Sequence, residues 1–305
     1  MKKFLSLMMA VLILLSACVM AGAEEYVVKV AAPSGAPGLA LATLAVEAPE
    51  NYTFVAADTI TAEFTNATAD FVIAPLNAGA KLFKAGKSTY QLAAVVCWGN
   101  LYIASQRENF TLEDINGANI TLFAENTINS SVARYALEQN GIVPASIDYL
   151  ASAANTQSLL LSDAEAIVLT AEPALTAAKM KNSKITAYSL NELFKTATGY
   201  DGYTQAALFV RAATVASQPE AVESFLLKVE ESCGKCTTDI AAVAQAAVAL
   251  EILPNPKVAE AAIPNCAIRF MRAADARAQV EATASIDLTQ FGGALPADEF
   301  YYEAK

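Results

Sequence analysis

The chain has 305 residues, with 31 acidic against 20 basic side chains and a net charge of −11, a length that suits one large domain or two lobes. That balance argues against nucleic acid, whose phosphates need clustered Lys and Arg. The sequence has no histidine, which excludes Ser-His-Asp and Cys-His catalysis and every histidine-containing metal site. At the N-terminus Lys2-Lys3 precedes an apolar run over 4–15 that is too short to span a bilayer and is followed by polar sequence, so 1–17 reads as an export signal. Residues 18–25 form a tether. Residues 26–32 then predict a first strand, and Pro33-Ser34-Gly35-Ala36-Pro37-Gly38 a tight loop before an apolar helix. Backbone N–H groups at Ser34 and Gly35 suit an anionic or carbonyl oxygen there. The loop lacks the Gly-Lys-Ser/Thr ending of a phosphate-binding P-loop.

The rest of the chain is organised around the stretch 70–100. Phe71-Val72-Ile73-Ala74 is a continuous apolar run, as expected of a strand covered on both faces. Pro75 must end it, which places Asn77 just past the strand's carboxyl end, where open α/β sheets bind ligands. Asn77 also suits a cap on a helix over 78–86. A second strand over 90–97 delivers Trp98-Gly99-Asn100 to the same edge. Trp98 reads either as a stacking wall for a ligand or as a core-edge aromatic beside Cys97. From 101 the pattern restarts. A strand over 120–124 runs into the polar loop Glu125-Asn126-Thr127-Ile128-Asn129-Ser130-Ser131 and a helix over 132–140. Thr127 and Asn129 are competent N-caps, and their clustering at a strand–helix junction also fits a ligand role. A strand over 164–170 leads to Glu172-Pro173, where Glu172 is either a favourable first-turn charge or half of a carboxylate pair with Glu125. A strand over 203–210, carrying Gln205, returns to the first half, and helices over 219–231, 238–250 and 273–284 complete the chain. The crossings near 100–105 and 199–205 are expected to act as hinge strands.

Besides Cys18 the chain has Cys97, Cys233, Cys236 and Cys266, an even count that permits disulfides in an exported protein. Cys233-Gly234-Lys235-Cys236 lies after a helical stretch rather than after the first strand of a thioredoxin-like unit. That favours a local disulfide or two inert thiols over a redox pair.

Several motifs in order carry a family resemblance. Leu15-Ser16-Ala17-Cys18 resembles the bacterial lipobox, with an ordinary cleavage site at Ala21-Gly22-Ala23 as the alternative. To it are added Pro33-Ser34-Gly35-Ala36-Pro37, the run 69–77 ending in Pro75-Leu76-Asn77, Trp98-Gly99-Asn100, Leu112-Glu113-Asp114-Ile115-Asn116-Gly117 and Ala171-Glu172-Pro173. Ala262-Ile263-Pro264-Asn265 and the segment 291–302 extend the match over essentially the whole mature chain. Together they resemble the solute-binding lipoproteins of ABC importers, in the type 2 branch that includes sulfonate, nitrate and thiamine-precursor binders. The resemblance implies a two-lobed α/β fold of the periplasmic-binding-protein type, with lobes 26–101 plus 203–305 and 102–202. It implies a monomer, lipidated at Cys18 on the outer face of the membrane, that passes a small organic solute to a permease and needs no cofactor. Mapped by motif, the ligand candidates are Ser34, Gly35, Asn77, Thr127 and Asn129, joined by Trp98, Asn100, Glu172 and Gln205. An enzyme of the same fold, or a surface sensor that binds without transport, are the alternatives.

Overall fold

The computed structural model describes residues 26–304; Cys18 and the export signal lie outside the described residues. Among the described residues eleven strands form two sheets. The first uses β1 (Val30–Pro33), β2 (Tyr52–Val55), β3 (Phe71–Pro75), β4 (Tyr90–Cys97), β10 (Ala206–Arg211) and β11 (Ile268–Arg272), in the order β11-β4-β10-β3-β1-β2. Strand β10 runs antiparallel between β3 and β4, whereas β1 is parallel to both β2 and β3. The second sheet uses β5 (Leu101–Ser105), β6 (Asn119–Phe123), β7 (Ser146–Leu150), β8 (Ile167–Ala171) and β9 (Thr186–Ser189), in the order β7-β6-β8-β5-β9.

Apolar periodicity explains the layers. Along β10, Ala207 and Phe209 enter one core cluster, and Ala206, Leu208 and Val210 enter the other. Both faces are therefore buried, which is why these strands lack a polar alternation. The helices of eight residues or more are α1 (Leu76–Lys84), α2 (Ile128–Gln139), α3 (Ala153–Ser162), α4 (Ala174–Lys181), α5 (Leu190–Thr198), α6 (Pro219–Thr238), α7 (Ile240–Ala249) and α8 (Ala273–Ile286). Val222, Phe225, Leu226 and Val229 of α6 cover one face of the first sheet, with α7 behind them. Ala273, Ala276 and Val280 of α8 cover the other face, and this second cluster continues through Trp98, Leu101 and Tyr203 into the second sheet and α2. A smaller cluster of Leu160, Val168, Leu175 and Ala178 closes the far face of the second sheet against α3 and α4.

Several boundaries differ from expectation for identifiable reasons. Strand β3 stops at Pro75, and α1 begins at Leu76, so Asn77 is a helical residue rather than a strand end. Residues 101–105, expected to serve as a hinge strand, form β5 inside the second sheet, paired to β8 and β9. The outgoing crossing is confined to Trp98-Gly99-Asn100, between β4 and β5. No disulfide joins the four described cysteines, which are all free and buried. Burial pushes the Cys97 and Cys236 thiols up to about 12 and raises those of Cys233 and Cys266 well above the ordinary thiol value, so they are inert.

Candidate ligand-binding site

The carboxyl ends of the parallel strands in both sheets meet at the crossings. In the first sheet β1, β3 and β4 end at Pro33, Pro75 and Cys97, with Ala206 paired to both Pro75 and Cys97. In the second, β6 and β8 end at Phe123 and Ala171, and Leu101 pairs with Ala171. One edge therefore gathers Ser34, Asn77 and Gln205 from one side and Thr127, Asn129 and Glu172 from the other.

The two crossings interlock through glycines. Gly99 has φ 89°, and a Cβ there would lie 2.4 Å from the Tyr203 ring and 2.5 Å from Asn191 Oδ1. A Cβ on Gly202 would lie 2.4 Å from the Trp98 carbonyl oxygen. Around this contact runs a hydrogen-bonded amide chain. Gln205 Oε1 accepts from the Asn100 N–H at 3.2 Å and from the Cys97 thiol at 3.4 Å. Gln205 Nε2 donates to Asn129 Oδ1 at 3.5 Å, and the Tyr203 hydroxyl donates to the same oxygen at 2.9 Å. Asn100 Nδ2 donates to the Glu172 carbonyl at 2.8 Å, and Asn191 Nδ2 to the Gly99 carbonyl at 2.7 Å. Asn129, Gln205, Asn100 and Glu172 are thus joined across the two sheets.

Other candidates are placed differently. The N–H groups of Ser34 and Gly35 do not form an open nest: they donate to the Val55 and Ile252 carbonyls at 2.8 and 3.3 Å. Thr127 caps α2, its hydroxyl accepting from the Ser130 N–H and donating to the Ala124 carbonyl. Asn77 is not a cap, since Pro75 occupies that position of α1. It is half-buried, and its carboxamide makes no hydrogen bond among the described residues. Trp98 is 2% exposed, its indole N–H donates to the Arg269 carbonyl at 2.8 Å, and the Arg269 guanidinium lies 4.4 Å above its ring. The ring is therefore built into the packing behind the crossing and is not an open stacking wall. Glu172 is 4% exposed, and its two carboxylate oxygens accept from the Thr176 N–H and hydroxyl at 3.1 and 2.9 Å. Burial raises its pKa, opposed by those bonds and by Lys179. Glu125 is exposed in the α2 loop. The roles of Tyr203 and Asn191 at the crossings had no signal in the sequence, because their partners are 74 and 92 residues away.

Two cavities are lined by none of Asn77, Asn100, Asn129, Glu172 or Gln205. One of ≈ 430 Å³ sits at the outer edge of the first sheet beside Lys29, Thr53, Glu63 and Thr68. The other, of ≈ 220 Å³, adjoins Trp98, Asp201, Ile263 and Arg269. Among the described residues no group of three or more Cys, Asp or Glu is set to hold a metal ion, and no helix is long and apolar enough to cross a membrane.

No family model matches the chain. No curated protein matches it either. Solved structures do. It is similar to an ABC transporter structure from Parabacteroides distasonis, at 21% identity and TM-score 0.77, over 92% of this chain and 99% of that one. It is similar to the ligand-binding component of an ABC-type import system from Staphylococcus aureus, solved with zinc bound, at 12% identity and TM-score 0.69, over 91% and 98%. The periplasmic aliphatic sulphonate binding protein SsuA from Escherichia coli matches at 12% identity and TM-score 0.70, over 91% and 92%. At such identities the likeness speaks for architecture, and on that ground the chain has the two-lobed α/β fold of the periplasmic binding proteins.

Proposed function

We propose that the chain is an exported solute-binding protein that captures a small organic molecule between two lobes, 26–101 with 203–305 and 102–202, and delivers it to an ABC importer. The observation that carries this reading is the meeting of both sheets' carboxyl edges at two short crossings, lined by uncharged amides from either side. Its fold neighbours include a binding component of an import system, which supports the same role. Catalysis is the weaker reading. Glu172 is the buried acid at the crossings, and both its oxygens are engaged by Thr176 at the start of α4. In this proposal the chain works as a monomer, without a cofactor or nucleic acid, tethered through lipid on Cys18.

Thermal-shift screening of the purified mature chain against sulfonates, carboxylates, pyrimidines and amines tests the reading, since a solute at about 100 times Kd adds roughly 2.7 kcal/mol. Asn77→Ala should then weaken the solute that binds by about tenfold, as expected for one lost hydrogen bond. No shift from any solute would end the proposal. The anchor is tested separately. Cys18→Ala should move the protein from the membrane fraction to the soluble one, because several acyl chains are what hold such proteins firmly. Retention of Cys18→Ala in the membrane, cut at the same bond, would refute lipidation.

A further inference from the structure

The cavity beside Trp98 is walled by groups from both crossings. Trp98 belongs to the outgoing one and Asp201 to the returning one, and the segment 263–269 that leads into β11 closes the rest. Its walls are mostly apolar, with Ile263, Pro264 and Ile268 among them, and Arg269 is the one cation. The volume is about 220 Å³. At about 30 Å³ per water molecule, that is room for about seven non-hydrogen atoms.

Arg269 is held in place but not neutralised. Ile268 pairs with Cys97 but Met271 with Val95, so β11 carries one extra residue against β4. A bulge of this kind re-aims a side chain. Here the Arg269 carbonyl accepts the Trp98 indole N–H at 2.8 Å, and the guanidinium lies 4.4 Å above the same ring. Arg107, Arg211, Arg272 and Arg277 each face a carboxylate at 3.4 Å or less. Arg269 differs: among the described residues its guanidinium makes no hydrogen bond and no ion pair. Carboxylates are not scarce, since the chain has 31 acidic against 20 basic side chains. Asp201, the one acid at the rim, is taken by Lys195 at 2.7 Å. Arg269 is exposed, so its N–H groups are open to a ligand, and a planar guanidinium suits a two-oxygen anion.

We infer that this cavity is a second binding site, separate from the crevice, for a small organic monoanion. The apolar body of that ligand lies on Ile263, Pro264 and Ile268, and its anionic group pairs with Arg269.

Trp98 is the chain's one tryptophan, so its fluorescence reads the site directly, with calorimetry alongside. The probes for the mature chain are isovalerate, its neutral amide isovaleramide, the cation isoamylamine, and formate, which has the charge without the apolar body. Isovalerate should bind and change the emission, and the other three should bind tenfold or more weakly. Arg269→Gln should weaken isovalerate by tenfold or more, as expected for lost hydrogen bonds to a charged group. Arg269→Lys keeps the charge and should restore part of the affinity. The ranking of the four probes on wild type needs no variant to fold. Equal binding of isovaleramide, isoamylamine or formate overturns the ligand class. Isovalerate that binds Arg269→Gln as tightly as wild type lies elsewhere and overturns the site; weakening by Asn77→Ala would then put it in the crevice. No heat and no emission change at millimolar isovalerate overturns the whole inference. None of these outcomes refutes the solute-binding reading, which rests on the crevice.

Discussion

Asp70 shows how one side chain can fix an edge of the molecule far from any ligand. It is 3% exposed and accepts from the Tyr26 hydroxyl, the Lys29 N–H, Arg211 Nη2 and the Thr214 hydroxyl at 2.8, 2.9, 2.8 and 2.7 Å. Burial opposes its charge, but these donors outweigh burial and hold its carboxyl below the usual range. A depressed folded pKa means stability that is present above the unfolded value, about 3.9, and is lost as pH falls through the folded value. Asp70→Asn should therefore cost about 2–3 kcal/mol at neutral pH, the scale of lost hydrogen bonds to a charged group. In urea titrations the gap between wild type and Asp70→Asn should shrink below about pH 4. A pH-independent gap would show that the charge contributes nothing. The sequence placed Asp70 correctly at the head of a buried strand, yet none of its partners could be read, because they lie 41 to 144 residues away. The same limit applies at the crossings. Asn100 and Gln205 were legible as polar residues beside strand ends, Asn77 only as a polar residue soon after β3, and the burial of Trp98 depends on Arg269, 171 residues on.

At the scale of elements, continuous apolar runs and Gly or Pro stops made most strands and long helices legible. Strand β3, the helix around 132–139 and the long α6 obey that rule. The unread elements are the helix α5 and the short, half-covered strands. Strand β9 (Thr186–Ser189) is half-buried throughout, and β11 (Ile268–Arg272) contains two arginines with a single fully buried residue, Ile268. Both are edge strands, β9 beside β5 and β11 beside β4. An edge strand buries little and so carries little apolar signal. The first loop failed for another reason. A Pro/Gly-rich strand–helix turn predicts free N–H groups, but the Val55 and Ile252 carbonyls close on it from outside the local sequence. Local pattern gives the turn; only tertiary packing decides whether its donors stay open.

For the whole molecule, the question is how easily the two sheets separate. Besides the crossings, few polar bonds bridge them. Gln290 Nε2 donates to the Asn126 carbonyl at 2.9 Å, and the Ser131 hydroxyl donates to Asp287 Oδ2 at 2.8 Å, so the turn after α8 straps the first half to the start of α2. On another side the Tyr102 hydroxyl donates to the Asn265 carbonyl at 3.0 Å. Each such bond contributes about 1 kcal/mol net, so parting the strap costs only about 2 kcal/mol. Opening must also part the apolar contacts that run from α8 and the first sheet into α2. The crossings themselves resist more, because Gly99 and Gly202 let the backbones approach with no room for a methyl group. Motion should then be a rotation about 98–100 and 202–205, with the strap making and breaking. A solute held by both edges shifts this balance by its preference for the closed form. Small-angle scattering should show a smaller radius of gyration for the solute-saturated protein than for the free one. The double variant Asp287→Ala, Gln290→Ala should have a larger radius than wild type when free, and bind up to about thirtyfold more weakly if the strap forms only on closure. Three superimposable scattering profiles would mean that the lobes do not move, and that the strap is packing alone.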